Sequence, residues 1–329
     1  MKQLETPPPN KEGKEIRKRI KINLGALRSY GIIFAFIAVF ALLSLLTSAF
    51  ATTRNILNVL DQAAQVGLAA LGVTLPIIGG GFDLSLGAVF AVTGSVAAFI
   101  AQSGHPGLGI AVGILLGFLL GCMNGLIITK LHINSFVATL ASGLIISGTA
   151  YVLTNGLLIH ISDKSFAFLG RGYILGVKFP IYVFFGFAIL VWFLLSRTTI
   201  GRYIYAIGGN EEAARLSGVH TDLIRILTFA ISGFGAGLAG VIACSRISTG
   251  QANVGGAITL SAIAAVVIGG TSILGGEGAI WRTIFGVLLL QLISNGMNIL
   301  NIPPFYQLIV QGVIILFAVT MDAFRSRSP

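Results

Sequence analysis

Of 329 residues, 55% are apolar and only 10% are charged, against the roughly 25% charged of a soluble domain, which excludes a soluble enzyme or a water-exposed binding module. A mean hydropathy of +0.92 assigns the net charge of +10 to membrane topology and contact with anionic lipid, not to nucleic acid. No polar stretch reaches the roughly 40 residues below which a domain needs extra staples, so a second domain is not expected.

The chain opens with residues 1–29, a polar, basic segment containing Pro7, Pro8 and Pro9. It reads as a disordered cytoplasmic tail; no small-residue cleavage site follows a short apolar run, so a cleaved leader is not expected. Beyond it, runs of about 20 apolar residues match a hydrocarbon core of about 30 Å. Ten candidate spans follow, near 31–50, 57–80, 84–102, 107–128, 134–153, 179–197, 224–245, 258–274, 280–300 and 305–323. The expected architecture is all-α and polytopic: one transmembrane domain over 30–324, about ten helices with some broken or re-entrant, and a cytoplasmic tail at 325–329. With an even number of spans both termini share a side. Placing that side in the cytoplasm leaves only Arg54, Lys164, Arg171, Lys178 and Arg246 outside, as the positive-inside rule expects.

Between the second and third spans, Ile77 to Gly87 reads IIGGGFDLSLG. Its glycines permit a tight turn, and Asp83 stands where its carboxylate can cap the helix that follows. In the fourth span Gly113, Gly117, Gly121 and Gly125 recur every fourth residue, and Gly233, Ala236, Gly237 and Gly240 repeat the device in the seventh. Hydrophobic drive between helices is weak in lipid, so such small faces pack helices by close approach. Cys122 and Cys244 both fall inside spans, at no metal or disulfide spacing, and are assigned to packing.

The most charged interior loop is 198–223. Gly208, Gly209 and Asn210 form a turn with Asn210 as N-cap, and Glu211 and Glu212 favour the start of a short helix. Glu212, Ala213, Ala214 and Gly218 fit EAA-x-x-x-G, and Leu216 and Val219 are apolar knobs for a partner's groove. After the apolar run 262–267, Ile268 to Gly278 reads IGGTSILGGEG, with Thr271 and Ser272 between two glycine pairs. It suits a bent or broken helix beside protein or a water-filled cavity. Two such interrupted segments point toward a transport pathway.

GGFDLSLGAVFAVTG, NGLIITK, GRYIYAIGGNEEAARLSGV, AIAAVVIGGTSILGGEG and YQLIVQGVIILFAV resemble the permease subunits of bacterial ribose-type sugar ABC importers. The resemblance runs from about Asn55 to Asp322, in order. It implies a permease paired with a second copy or a paralogue in the inner membrane, a cytoplasmic ATPase that carries ATP and Mg, and a periplasmic or lipid-anchored sugar-binding protein. It implies that this chain binds no cofactor of its own. By resemblance the ATPase-coupling residues are Gly201, Arg202, Ala206, Gly208, Gly209, Asn210, Glu211, Glu212, Ala213, Ala214, Arg215 and Gly218, and loop 154–178 faces the binding protein. Two positions depart from the family pattern: Thr259 stands where an acid is common, and Glu277 where a base is common.

Uncharged sugars need only a weakly polar lining, for which Gln62, Gln65, Asp83, Ser85, Thr139, Ser142, Thr271, Ser272 and Asn295 are the candidates. No G-x-x-x-x-G-K-[ST] run is present, so energy comes from a partner or an ion gradient. No catalytic or metal-binding arrangement stands out at matched depth in the spans. Two rivals stay open: a proton-coupled carrier titrating Asp61 or Asp83, and a branched-chain amino acid permease of the same superfamily.

Overall fold

Apolar runs bounded by capping side chains and prolines become the helices of this chain. The computed structural model describes residues 24–326, so residues 1–23 and 327–329 of the two expected tails lie outside the described part. The elements are α1 (Leu24–Leu46), α2 (Thr53–Ile78), α3 (Leu86–Gln102), α4 (Pro106–Lys130), α5 (Ser135–Thr154), β1 (Ile159–His160) and α6 (Lys164–Arg171). They continue with β2 (Tyr173–Ile174), β3 (Val177–Lys178), α7 (Phe179–Arg197), α8 (Thr199–Gly209), α9 (Glu211–Leu216) and α10 (Thr221–Ile247). The last are β4 (Thr249–Gly250), α11 (Gly255–Ile268), α12 (Ile280–Ile299) and α13 (Pro304–Ser326). The chain falls into two units, Met1–Gly31, of which only the opening of α1 is described, and Ile32–Pro329, which holds everything below.

Local chemistry sets the boundaries. Thr52 caps α2 by accepting from the Asn55 amide at 3.3 Å, and Asn134 caps α5 through the Phe136 amide at 2.9 Å. Pro106 and Pro180 open α4 and α7, where their missing N–H costs nothing. Asn155 and Ser248, in the left-handed region, close α5 and α10.

The expected spans, about ten with some broken or re-entrant, differ in length. Among the described residues, six helices are long and apolar enough to cross a membrane: α2, α4, α5, α7, α10 and α12. Four shorter apolar stretches accompany them, Tyr30–Leu46, Leu86–Gln102, Gly255–Ile268 and Pro304–Ile314. The 258–274 span in particular stops at Ile268, because Gly269 and Gly270, the latter at φ 86°, turn the chain out of the helix. The all-α reading also needs an amendment. Two short antiparallel ladders join β1 to β4 and β2 to β3, both outside the long helices.

α2 and α10 form the centre, each with 67% of its apolar window buried, whereas α4 has 28% and α5 33%. The glycine face of α4 lies on α10, as expected. A Cβ on Gly117 would stand 2.6 Å from the Gly233 carbonyl oxygen, and one on Gly125 would stand 2.6 Å from Ile226 Cα. α2 meets α10 through Gly72 against Ser232 and Gly235 against Leu68. The bundle has two ends. One carries α8, α9, the start of α10 and the end of α4, where Lys130 pairs with Asp222 at 3.4 Å. The opposite end carries the two ladders and α6, where the Gly170 amide donates to Ser245 Oγ at 2.7 Å.

Candidate functional site

Two breaks in the helices meet under α8. After α2 the chain runs non-helically through residues 79–85, and its amides are served from the start of α5. Phe82 N donates to Ser135 Oγ and Leu84 N to Thr139 Oγ1, each at 3.0 Å. After α11 the second break turns through Gly275 and Gly276, and the Gly276 amide donates to the Ile78 carbonyl at 2.8 Å. α8 closes over both. A Cβ at Gly208 would run into the Ile78 carbonyl oxygen and the Gly276 nitrogen, and Tyr205 Oη donates to the Gly278 carbonyl at 2.7 Å. The paired glycine interruptions of the sequence are therefore one structural unit.

α9 follows at once. Asn210 accepts from the Ala213 amide at 2.9 Å, as an N-cap does, with Glu211 and Glu212 in the first turn. Gly218, at φ 85°, ends the segment. The two acids differ in role. Glu211 takes Arg225 Nη2 of α10 at 2.7 Å and Arg215 Nη2 at 3.3 Å, whereas Glu212 is exposed. Of the other expected coupling residues, Gly201 and Ala214 are buried and Gly208 faces the breaks. Arg202, Ala206, Gly209, Asn210, Ala213, Arg215 and Gly218 are exposed. Leu216 stands 84% exposed, but Val219, expected as a second knob, packs against the core.

The nine expected path residues are not brought together. Asp83 does not cap α3 directly. Ser85 is the N-cap residue, and Asp83 Oδ1 accepts from the Ser85 amide at 3.1 Å and its hydroxyl at 2.5 Å, because Asp83 stands two residues before the N-cap. Its other oxygen takes Ser232 Oγ at 2.7 Å, and Asn124 Nδ2 donates to Ser85 Oγ at 2.7 Å, so Asp83 and Ser85 tie α3 to α4 and α10. Thr139 supports the first break, and the Ser142 hydroxyl donates to the Thr139 carbonyl at 3.3 Å. Thr271 is buried and Ser272 half-buried in the second break. Asn295 pairs with Asn55 at 2.9 Å on the opposite side of the bundle. Gln62 is half-buried, and Gln65 lines a cavity of about 250 Å³ between α2, α3, α10 and α11.

Sequence reasoning missed the partners of that cavity. Asp61, one turn before Gln65 and 1% exposed, accepts Lys178 Nζ at 2.6 Å and Arg246 Nη2 at 3.2 Å on one oxygen. Charges at the edge of apolar runs were the signal available. The proton-carrier expectation thus meets an acid engaged by two cations at Asp61 and by serine hydroxyls at Asp83. At the same end Asp163 caps α6, and hydrogen bonds from the Ser165 hydroxyl and then its amide hold the Asp163 carboxyl below the ordinary carboxylate range.

Comparison with known proteins gives the arrangement its context. Residues 55–319 match the family described as the branched-chain amino acid transport system / permease component. The ribose import permease protein RbsC of Haemophilus influenzae is 40% identical over 295 residues, which is 88% of this chain and 91% of that protein. RbsC of Bacillus subtilis is 40% identical over 313 residues, 94% and 97% of the two chains. The L-arabinose transport system permease protein AraH of Escherichia coli is 38% identical over 300 residues, 91% and 92%. Among solved structures, an inward-facing ABC transporter described as of a putative metal-chelate type aligns with a TM-score of 0.53 over 91% of this chain and 99% of that one. At 14% identity that likeness shows the fold alone. A broad profile named for amino acids and relatives named for sugars agree on the same role, so the chain is a multi-pass membrane protein belonging to the ABC import permease family, beside the ribose and L-arabinose permeases.

Proposed function

We propose that the chain is the membrane-spanning subunit of an ATP-driven importer for a monosaccharide or related small polyol. The observation that carries this reading is the packing of α8 on both helix breaks through Gly208, with α9 presenting Glu212 and Leu216 beyond it. A push on α9 is delivered straight to the irregular backbone of the pathway. The names of the RbsC and AraH relatives supply the substrate class.

In this reading the chain crosses the inner membrane ten times, its short helices being re-entrant or tilted, with both termini and the α9 end in the cytoplasm. A cytoplasmic ATPase seats on α9 and binds ATP and Mg. A periplasmic or lipid-anchored protein delivers the sugar to the opposite end, at loop 154–178. A second copy or a paralogue completes the translocation path. ATP binding closes the ATPase dimer, α9 moves with it, and the two permeases change which side they open to. The test is uptake of radiolabelled D-ribose and L-arabinose into liposomes holding the chain with its partner ATPase and binding protein. ATP-dependent accumulation of either supports the reading. Gradient-driven uptake by the chain alone contradicts it.

A further inference from the structure

The 14 residues of α11 rise about 21 Å at 1.5 Å per residue, and the chain reaches them from α10 through the mostly irregular segment 248–254. Two cavities flank that segment. The one of about 250 Å³ holds Gln65, Arg246 and Gln251, the other, of about 260 Å³, holds Ser147 and Asn253, and Ala91 lies in the wall of both.

The first cavity has fixed polar groups and unmet hydrogen-bonding capacity. Asp61 holds Arg246 in its wall at 3.2 Å, and Asp61 is itself secured by Lys178. The side-chain amides of Gln65 and Gln251, both half-buried, have no hydrogen-bond partner among the described residues. Phe90, Val254 and Ile258 form an apolar wall. An amide both donates and accepts, and a guanidinium donates. Hydroxyl groups answer both demands, while the C–H face of a ring suits the apolar side. Arg246 is held by Asp61, which it shares with Lys178, and the two glutamine amides beside it are uncharged, so the cavity offers hydrogen bonds more than charge. Its volume lies just below the roughly 300–1,000 Å³ of pockets for drug-sized ligands, which favours a single ring over a disaccharide.

We infer that this cavity is a subsite for a neutral polyhydroxylated ligand, contacted by Gln65, Arg246 and Gln251, with Asp61 as the positioning residue for Arg246. The inference rests on the importer reading and deepens it by naming the chain's own contacts to the sugar at the end opposite α9.

The experiment uses the complete importer in liposomes with D-ribose as probe. Gln65→Leu and Gln251→Leu, close in volume to the native side chains, each lower uptake about tenfold, the loss of roughly one hydrogen bond. ATP hydrolysed per sugar delivered rises by the same factor, and Gln65→Asn restores part of the uptake. Separately, Gln251→Cys, in a chain with Cys122→Ser and Cys244→Ser, is modified by a membrane-impermeant thiol reagent. Ribose delivered by the binding protein slows that modification at least about fivefold in rate, the ratio set by about 1 kcal/mol of protection. Normal ribose uptake and coupling in both leucine variants, or modification indifferent to ribose, overturns the subsite while leaving the importer reading intact. Failure of the wild-type importer to take up ribose with ATP present overturns the sugar reading and the subsite with it.

Discussion

Gly208 concentrates the mechanical argument in one missing side chain. Its neighbours are backbone atoms of two helix breaks, which cannot step aside as a flexible side chain can. Gly208→Val is expected to destabilise the protein by about 1–3 kcal/mol, as overpacking does, and to abolish uptake. Gly209→Ala, next along the chain with open space around it, is expected to leave stability unchanged; thermal unfolding in detergent compares the pair, and an uptake assay checks Gly208→Val. Glu211 and Glu212 separate in a similar way. Glu211 is a fastener to Arg225, and because both side chains are partly exposed, at 33% and 24%, the pair is worth only about 0.5–1 kcal/mol. A double-mutant cycle with Glu211→Gln and Arg225→Gln should return a coupling energy of that size in thermal stability. Coupling of zero would mean that Glu211 does not hold α9 on α10.

At the scale of the element, α9 is six residues long, too short to be stable on its own in water. Its N-cap and its packing on α10 therefore decide whether it forms. Asn210→Ala should weaken it by about 0.5–2 kcal/mol, seen as faster amide hydrogen exchange confined to residues 211–217 and as weaker retention of the ATPase. This element was legible in the sequence, because a cap, two acids and a left-handed glycine are local signals. The glycine faces of α4 and α10 were legible for the same reason, being periodic along single helices. Asp61, Lys178 and Arg246 were not, since three residues from three distant elements converge only after the bundle is packed. Of the bent or broken helix that the glycines after Ile268 suit, the structure shows the broken one, since Gly270 at φ 86° ends α11 short of the expected 258–274 span. Gly117→Leu is expected to stop α4 seating on α10, with loss of folded protein on size exclusion.

Across the whole molecule, chemistry is divided between two ends. One end offers α9, with Glu212 and Leu216 exposed, and is joined through α8 to both breaks. The other carries the Asp61 ion cluster and the cavity beside it. Some polar residues inside the bundle, Asn55 with Asn295 and Thr74 with Thr283 among them, bond one another as glue between helices, and others, such as Ser95 and Thr129, bond a carbonyl of their own helix. That is why polarity alone in the sequence did not mark the path. The central claim is that an ATPase docks on α9. Its most direct test is affinity purification of the tagged chain from its native membrane in mild detergent, beside the variant carrying Glu212→Lys and Leu216→Asp, both at exposed positions. The account predicts a co-purifying ATPase with a Walker A motif that is lost from the variant while the variant stays folded in the membrane. Equal recovery of the ATPase with both proteins, or none with the wild type, would contradict it.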